Sequence, residues 1–166
     1  MDPGSSTGYL ISLFVILVLS IITRMLRTAV MTSDSTKLDE RLQYQIKNRE
    51  NVISKLQLNY ELLKIIFVMV FTALVIRNLD KADFDRAIDI SIFICSTIAA
   101  MFIYNLITIE FADRYGAYKP NQSLRTLQFF LVIKMIIMEP IHKLHVTLSN
   151  FFAKLIGLPK VTSKVT

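Results

Sequence analysis

The chain has 166 residues, of which 53% are hydrophobic, and a formal net charge of +6. A soluble domain of this length buries one core without long uncharged apolar runs, but here the apolar residues form blocks with the charges between them. This distribution is typical of a protein embedded in a lipid bilayer. The basic charge fits cytosolic flanks near anionic lipid, and nucleic acid is not an expected partner because the chain lacks the aromatic-basic pattern of nucleic-acid modules.

Three apolar blocks predict three transmembrane helices. Residues 90–109 contain no charged residue, and about 20 helical residues at about 1.5 Å each cross a hydrocarbon core of roughly 30 Å. The first block, residues 9–23, can extend into its flanks. The second, residues 56–76, reaches spanning length only if Glu61 and Lys64 are included, so these two must extend towards the headgroups or face protein.

The charges between the blocks predict the orientation. Basic residues outnumber acidic ones by eight to five in segment 24–64 and by eight to three after residue 109, whereas segment 77–89 has three basic and four acidic residues. Since cytosolic loops carry the excess of Lys and Arg, we expect the N-terminus outside and the C-terminus inside.

The same patterns divide the all-α chain into segments. We expect an N-terminal tail (1–8), a three-helix transmembrane domain (9–114), juxtamembrane amphipathic helices (115–158) and a basic tail (159–166). Within the domain, Leu38, Leu42 and Ile46 fall on one side of a predicted cytosolic amphipathic helix over residues 36–58, which runs into the second membrane helix.

The segment after the third membrane helix predicts a pair of interfacial helices. Gly116 and Pro120 mark a break, and residues 127–138 are too short to span, so they form a re-entrant or a surface-lying helix. Pro140 then separates a second helix. Its apolar side chains recur at spacings of three and four, with a lysine on the remaining surface, as in a helix lying in the membrane interface: Leu144, Leu148, Phe151, Phe152 and Lys154.

The sequence contains no Gly-rich phosphate loop, nucleophile elbow or Cys/His cluster, so we expect neither catalysis nor a cofactor. Glu139, His142 and His145 have a metal-ligand spacing, but no second copy completes a site, and we interpret them as interfacial polar residues. Two candidates for a metal contact remain. Asn105 is the only amide in the third block, where an interhelical hydrogen bond explains it better, and Glu110 lies among charges at the end of that helix.

The end of the chain carries a motif. The residues Pro140-x-x-x-Leu144-x-x-x-Leu148-Ser149-Asn150, followed by Leu155-Ile156-Gly157, resemble the P-x-x-x-L-x-x-x-(I/L)-S-N…L-L-G ending of the cyclin M/CorC transmembrane domain. The order of elements is also similar to that family over nearly all of the chain. The resemblance implies an all-α membrane fold and a link to magnesium export.

The sequence departs from the family where an ion would bind. The family's S-x-S-E-T-A signature is replaced by Arg24-Met25-Leu26-Arg27-Thr28-Ala29, so two arginines stand where a cation would pass. The G-E-I-x-P step reads Ile109-Glu110-Phe111-Ala112-Asp113 and keeps only the glutamate, and we expect no counterpart of the family's cytosolic CBS pair. A hard dication needs several oxygen ligands, so the resemblance implies a scaffold without its ion-binding residues.

Three functions follow as hypotheses. The first is a non-enzymatic accessory or structural subunit that packs against other membrane proteins, indicated by the lack of a ligand set and by the exposed helices. The second is a divalent-cation transporter or channel component acting as a homodimer, supported by the overall plan, Glu110 and Asn105. The third is a three-helix membrane insertase or chaperone, because such proteins carry a cytosolic helical hairpin between their first two membrane helices.

Overall fold

A computed structural model describes residues 6–79 and 86–157, and their regular structure is entirely helical. The helices in chain order are α1 (Ser6–Thr32), a 3-10 helix (Ser35–Lys37), α2 (Glu40–Gln45), α3 (Arg49–Leu79), α4 (Arg86–Asn105), a π-helix (Leu106–Phe111), α5 (Ala112–Tyr118), α6 (Pro120–Thr126) and α7 (Gln128–Ile156). Residues 1–5, residues 80–85 of the predicted connection and the predicted basic tail 159–166 lie outside the described residues.

Three helices of the described ranges are long and apolar enough to cross a membrane, which confirms the prediction of three spans. They are Ser6–Thr32, Arg49–Leu79 and Arg86–Tyr118, the last combining α4, the π-helix and α5. Because α1 begins at Ser6, its first turn takes up the end of the predicted tail 1–8. The orientation of the three spans stays a prediction.

The predicted single helix over residues 36–58 is wrong. The segment forms the 3-10 helix, α2 and the start of α3, with a turn around Ile46 and Asn48. The Asn48 side chain accepts a hydrogen bond from the backbone N–H of Asn51 at 3.3 Å, which caps the new helix. A straight helix would carry residues 38–46 away from the bundle, whereas the turn buries Ile46, only 2% exposed, in the core.

The main apolar core lies at the base of the bundle, where α2, α6 and the first half of α7 surround the C-terminal end of α1 and the N-terminal end of α3. It consists of Leu26, Ala29, Val30, Leu38, Leu42, Ile46, Val52, Leu56, Leu124 and Leu131. Burial of one such leucine or isoleucine stabilises the fold by about 1.5–3 kcal/mol. The core therefore fixes α1 against α3 at the level where the polar side chains described below meet.

The prediction of two C-terminal helices divided at Pro140 is also wrong, because α7 continues through this residue. Proline removes one backbone donor, but side-chain contacts to α3 occur on both sides of it. Met138 accepts a hydrogen bond from Asn59, and the His142 ring lies 3.1 Å from the Ser54 hydroxyl. These contacts attach α7 to α3 on both sides of Pro140.

Candidate functional site

A carboxylate and a guanidinium meet between α1 and α5. Arg24 Nη2 donates to Asp113 Oδ2 at 2.8 Å and Arg24 Nε donates to Oδ1 at 2.9 Å, so the pair is bidentate. One turn along α1, the Thr28 hydroxyl donates to Asp113 Oδ1 at 2.6 Å. Residues four apart share a helix face, which explains why Arg24 and Thr28 reach the same carboxylate. We call Asp113, Arg24, Thr28 and the neighbouring Tyr60 the Asp113 site.

Gly116 allows this close approach of the helices. It lies one turn after Asp113 on α5 and is buried against α1. A Cβ atom at this position would be 2.7 Å from the Met25 carbonyl oxygen. The sequence interpretation of Gly116 as a break is therefore wrong: it is a contact glycine inside a helix, and the break comes at Lys119, after which Pro120 occupies the first turn of α6.

Tyr60 of α3 completes the site and connects it to a column of hydroxyl groups. The Arg24 guanidinium lies over the Tyr60 ring, 5.2 Å from its centroid. The Tyr60 and Thr108 hydroxyl oxygens are 2.9 Å apart. Because the Thr108 hydroxyl donates its one hydrogen to the Tyr104 carbonyl at 2.7 Å, Tyr60 must be the donor.

The column continues on the other side of Tyr104. The Tyr104 hydroxyl donates to Ser20 Oγ at 2.8 Å, and Ser20 donates to the Ile16 carbonyl at 2.7 Å. Tyr104, Thr108 and Ser20 are buried, and each of their hydroxyl groups has a hydrogen-bond partner within the spans, either another hydroxyl group or a backbone carbonyl. The hydroxyl column, Tyr60, Thr108, Tyr104 and Ser20, links all three membrane-spanning helices.

The π-helix lies at the turn of the third span that carries Thr108. A π-helical turn contains about one residue more than an α-helical turn and is frequent at functional sites. The extra residue changes which side chains face the bundle between Tyr104 and Asp113. As a result, Thr108 and Asp113 both point inwards, whereas Glu110 points away from the site.

A second polar cluster lies where α7 crosses α3. Lys134 of α7 is 8% exposed and donates to Asn59 Oδ1 at 2.8 Å, while the Thr23 hydroxyl lies 3.1 Å from the same oxygen. Burial without a carboxylate lowers the pKa of Lys134 to about 8. The cluster joins α1, α3 and α7 through one amide group.

Further along α7, an ion pair connects the helix to α3. Lys55 forms an ion pair with Glu139, which also pairs with Lys143 at 3.2 Å. Hydrogen bonds from these two lysines lower the pKa of the Glu139 carboxyl, and burial is the first cause of the lowered pKa of His142. Glu139 is therefore paired with two lysines. Among the described residues, no group of three or more His, Cys, Asp or Glu side chains could hold a metal ion.

The predicted site residues lie apart from the Asp113 site. Glu110 pairs with Arg114 at 2.9 Å on the surface and is 57% exposed, compared with 30% for the Asp113 side chain. The Asn105 side-chain oxygen is buried and has no hydrogen-bond partner among the described residues. Glu61 is exposed and accepts a hydrogen bond from Gln57 at 2.7 Å, and Lys64 is half-buried.

The predicted interfacial side chains are on the second half of α7. Leu144, Leu148, Phe151, Phe152 and Lys154 are all exposed there. Their contact with a membrane surface stays a prediction.

Sequence reasoning missed Asp113 as the central acceptor. The spacing of Arg24 and Thr28 on an otherwise apolar helix was the available signal, because an intramembrane arginine needs a counter-charge. The sequence offered several acids near the third span, and only the packing of α5 on α1 selects Asp113.

Comparison with known protein families agrees with this architecture. No curated protein and no solved structure matches the chain significantly. The family model of the cyclin M transmembrane N-terminal domain matches residues 10–166. This match includes all three spans, both polar clusters and α7, and it confirms the resemblance inferred from the C-terminal motif. The chain therefore belongs to the cyclin M transmembrane domain family and is an integral, multi-pass membrane protein.

Proposed function

We propose that this chain is a membrane component of divalent-cation transport, with magnesium as the cation and two identical chains as the working unit. The observation that carries the proposal is the inward-facing carboxylate of Asp113 at one end of the hydroxyl column. Family membership supplies the class of cargo and favours this hypothesis over that of an accessory subunit.

The chemistry of the column suits a hard cation. Magnesium is held by oxygen atoms, commonly from one or two carboxylates together with water. Asp113 supplies the carboxylate, and Thr28, Tyr60, Thr108 and Ser20 supply hydroxyl oxygens between the same helices, where each takes part in a hydrogen bond. Polar groups in membrane-spanning helices are costly unless they are satisfied, and those that persist commonly mark an ion pathway.

Magnesium flux in reconstituted vesicles tests the proposal. Vesicles that contain the purified chain and an internal magnesium-sensitive dye are expected to take up magnesium faster than protein-free vesicles. Asp113→Asn is expected to reduce the flux, because it removes the only charge of the site that attracts a cation. Glu110→Gln is the matched control, since it makes the same change one turn away on an exposed side chain paired with Arg114.

The outcomes separate the possibilities. Flux equal to that of protein-free vesicles would refute transport by this chain alone. Flux that responds to Glu110→Gln or Asn105→Ala but not to Asp113→Asn would place the pathway along the predicted residues and away from the Asp113 site.

A second candidate function is packing within a larger membrane assembly, and one observation favours it. Of the residues of α4, only Tyr104 is buried, while Ile90, Ile92 and Phe102 on different faces are exposed. Such a helix contributes little to the fold of one chain and leaves a large surface for a partner helix or lipid. The mass of the complex extracted from its own membrane distinguishes a pair of identical chains from a mixed assembly. The insertase hypothesis stays a prediction.

A further inference from the structure

A cavity with several basic side chains lies at the base of the bundle, apart from the Asp113 site. Its volume is about 800 Å³, which is within the range of small-molecule sites. The wall is formed by the turn between α2 and α3, by the first two turns of α3 and by Met135 of α7. Lys47, Arg49 and Lys55 contribute positive charges to this wall, and Glu50 contributes a negative one. We call this space the basic cavity.

Two of the three cations of the basic cavity have no carboxylate partner. Lys55 forms an ion pair with Glu139, which compensates its charge. Arg49 donates to the Ser33 carbonyl oxygen at 2.8 Å, so a neutral group holds the guanidinium, and it forms no ion pair within the described ranges. The Lys47 side chain is exposed and has neither an ion pair nor a hydrogen bond in the described part of the chain. Arg49 and Lys47 therefore keep their full charge for a ligand.

The beginning of α3 adds to the positive field of the basic cavity. This helix begins at Arg49 and is 31 residues long, and the N-terminal end of a helix carries a partial positive charge. The Asn48 side-chain oxygen accepts from the Asn51 N–H, which leaves the side-chain nitrogen of Asn48 as a donor. Uncompensated Arg and Lys side chains beside a helix N-terminus are the groups that bind phosphate in proteins.

Distances along α3 place the basic cavity outside the lipid. The Thr108 hydroxyl, near the end of the uncharged run 90–109, lies 2.9 Å from that of Tyr60, so the apolar layer ends near Tyr60 on α3. From Tyr60 to Arg49 the helix extends by about 16 Å at about 1.5 Å per residue, or by about 13 Å along the bilayer normal at a tilt of about 40°. The headgroup layer is only about 5–8 Å thick on each side. Arg49 is therefore beyond the headgroups.

We propose that the basic cavity binds a soluble anion with two or more phosphate groups, and that Arg49 and Lys47 are its main contacts. Two uncompensated cations match more than one negative charge, and a single phosphate ion would fill only a small part of about 800 Å³. The bound anion would contact both the turn that precedes α3 and α7, and so would connect two elements at the base of the bundle. This binding function does not depend on the proposed transport of magnesium.

Isothermal titration calorimetry with inorganic pyrophosphate tests the proposal. The purified chain is placed in nanodiscs of phosphatidylcholine, which has no net charge, and a chelator removes divalent cations. The samples are the unaltered chain, Arg49→Gln, Lys47→Gln, Glu50→Gln and Arg41→Gln. Arg41 provides the matched control, because it is an exposed arginine of α2 that does not belong to the wall of the cavity. Circular dichroism and gel filtration establish that each sample is folded.

We expect the unaltered chain to bind one pyrophosphate. Arg49→Gln should weaken binding about tenfold, since it removes a charged hydrogen-bond donor, and Lys47→Gln should weaken it about threefold, since the lost charge is exposed. Glu50→Gln should strengthen binding, because it removes a negative charge from the wall. Arg41→Gln should change the affinity by less than about twofold, because exposed charges outside the cavity are screened by salt.

The Lys47 variant keeps the test decisive if Arg49→Gln fails to fold. Arg49 holds Ser33 after the end of α1, whereas the Lys47 side chain has no such contact. Two results would overturn phosphate binding in the cavity. One is a folded, unaltered chain that does not bind pyrophosphate. The other is an equal affinity of the folded Lys47→Gln and Arg41→Gln samples, which would show that only the overall basic charge attracts the anion.

A second set of nanodiscs separates a soluble ligand from a lipid headgroup. One preparation contains phosphatidylinositol bisphosphate, and the other contains enough phosphatidylserine to give the same charge. We expect equal affinities for pyrophosphate in the two preparations, since the cavity lies beyond the headgroups. Weaker binding in the phosphoinositide discs would show that the lipid competes for the cavity, and would refute a ligand that comes from solution.

Discussion

The contact of Gly116 with α1 gives the sharpest prediction for stability. A Cβ atom on Gly116 would be 2.7 Å from the Met25 carbonyl oxygen, 3.2 Å from Thr28 Cβ and 3.3 Å from Met25 Cα. Two of these three atoms are backbone atoms, so no change of rotamer relieves the clash. Substitution by alanine or valine must therefore move α5 away from α1.

The expected magnitude follows from two opposing effects. Overpacking of a well-packed contact costs about 1–3 kcal/mol, whereas alanine gains about 1 kcal/mol over glycine in helix propensity. We expect Gly116→Ala to lower the free energy of unfolding by about 1 kcal/mol on balance. Gly116→Val should cost more, because a β-branched side chain adds bulk at the clash and restricts its own rotamers.

The displacement should also reach the Asp113 site. Asp113 and Gly116 lie one turn apart on the same helix, and Thr28 contacts both the Asp113 carboxylate and the position of the added Cβ. Separation of α5 from α1 therefore lengthens the hydrogen bonds that hold Asp113. A double-mutant cycle of Gly116→Val with Thr28→Val is expected to show coupling, as is usual for residues in contact.

Thermal unfolding in detergent provides the assay, with Ala117→Val as the matched control on an exposed position of the same helix. For a chain of this size, about 1 kcal/mol corresponds to a shift of about 2–4 °C in Tm. Equal Tm values for Gly116→Val and Ala117→Val would refute the argument that backbone contact at Gly116 holds the two helices together.

Three further predictions concern other parts of the bundle. Leu26→Ala should lower the free energy of unfolding by about 2–5 kcal/mol, because Leu26 is fully buried in the core, and a chemical denaturation midpoint equal to that of the unaltered chain would contradict this. Lys134→Met should raise Tm at neutral pH. Burial lowers the pKa of Lys134 to about 8, so between about pH 8 and pH 10.5 the folded state binds fewer protons than the unfolded state. The free energy of unfolding of the unaltered chain therefore increases with pH over this range. The variant should lose that increase, which thermal unfolding at several pH values measures, whereas Lys154→Met on an exposed position should retain it. Tyr104→Phe should cost about 0.5–1.5 kcal/mol, since it removes the hydrogen bond to Ser20, and an unchanged Tm would show that this link of the hydroxyl column adds no stability.

Local properties of the sequence account for most of the secondary structure. The uncharged run 90–109 predicts the third span because a helix in lipid must satisfy its backbone internally and cover it with apolar side chains. The spacing of Leu38, Leu42 and Ile46 correctly predicts that all three are buried together, although only Leu42 lies within a helix, α2. The same spacing does not reveal the turn at Asn48, since a broken and an unbroken helix give these three residues the same periodicity.

Proline and glycine show where local signals mislead. Pro140 predicts a break because it removes a backbone donor, yet α7 continues through it, supported by contacts of Met138 and His142 with α3. Gly116 also predicts a break, but it lies within α5 against the backbone of Met25. In both cases the deciding interaction comes from another helix.

The Asp113 site, too, was predicted only in part from the sequence, and its central contact depends on the tertiary structure. The sequence by itself predicted three membrane spans, and the resemblance implied that Arg24 and Arg27 stand where the family has an ion-binding signature. That Arg24 has a counter-charge was missed at that level. Only the tertiary structure decided which acid provides it. Arg24 and Asp113 are separated by 89 residues, and their meeting depends on the packing of α5 on α1 at Gly116 and on the π-helix that turns Asp113 inwards and leaves Glu110 at the surface.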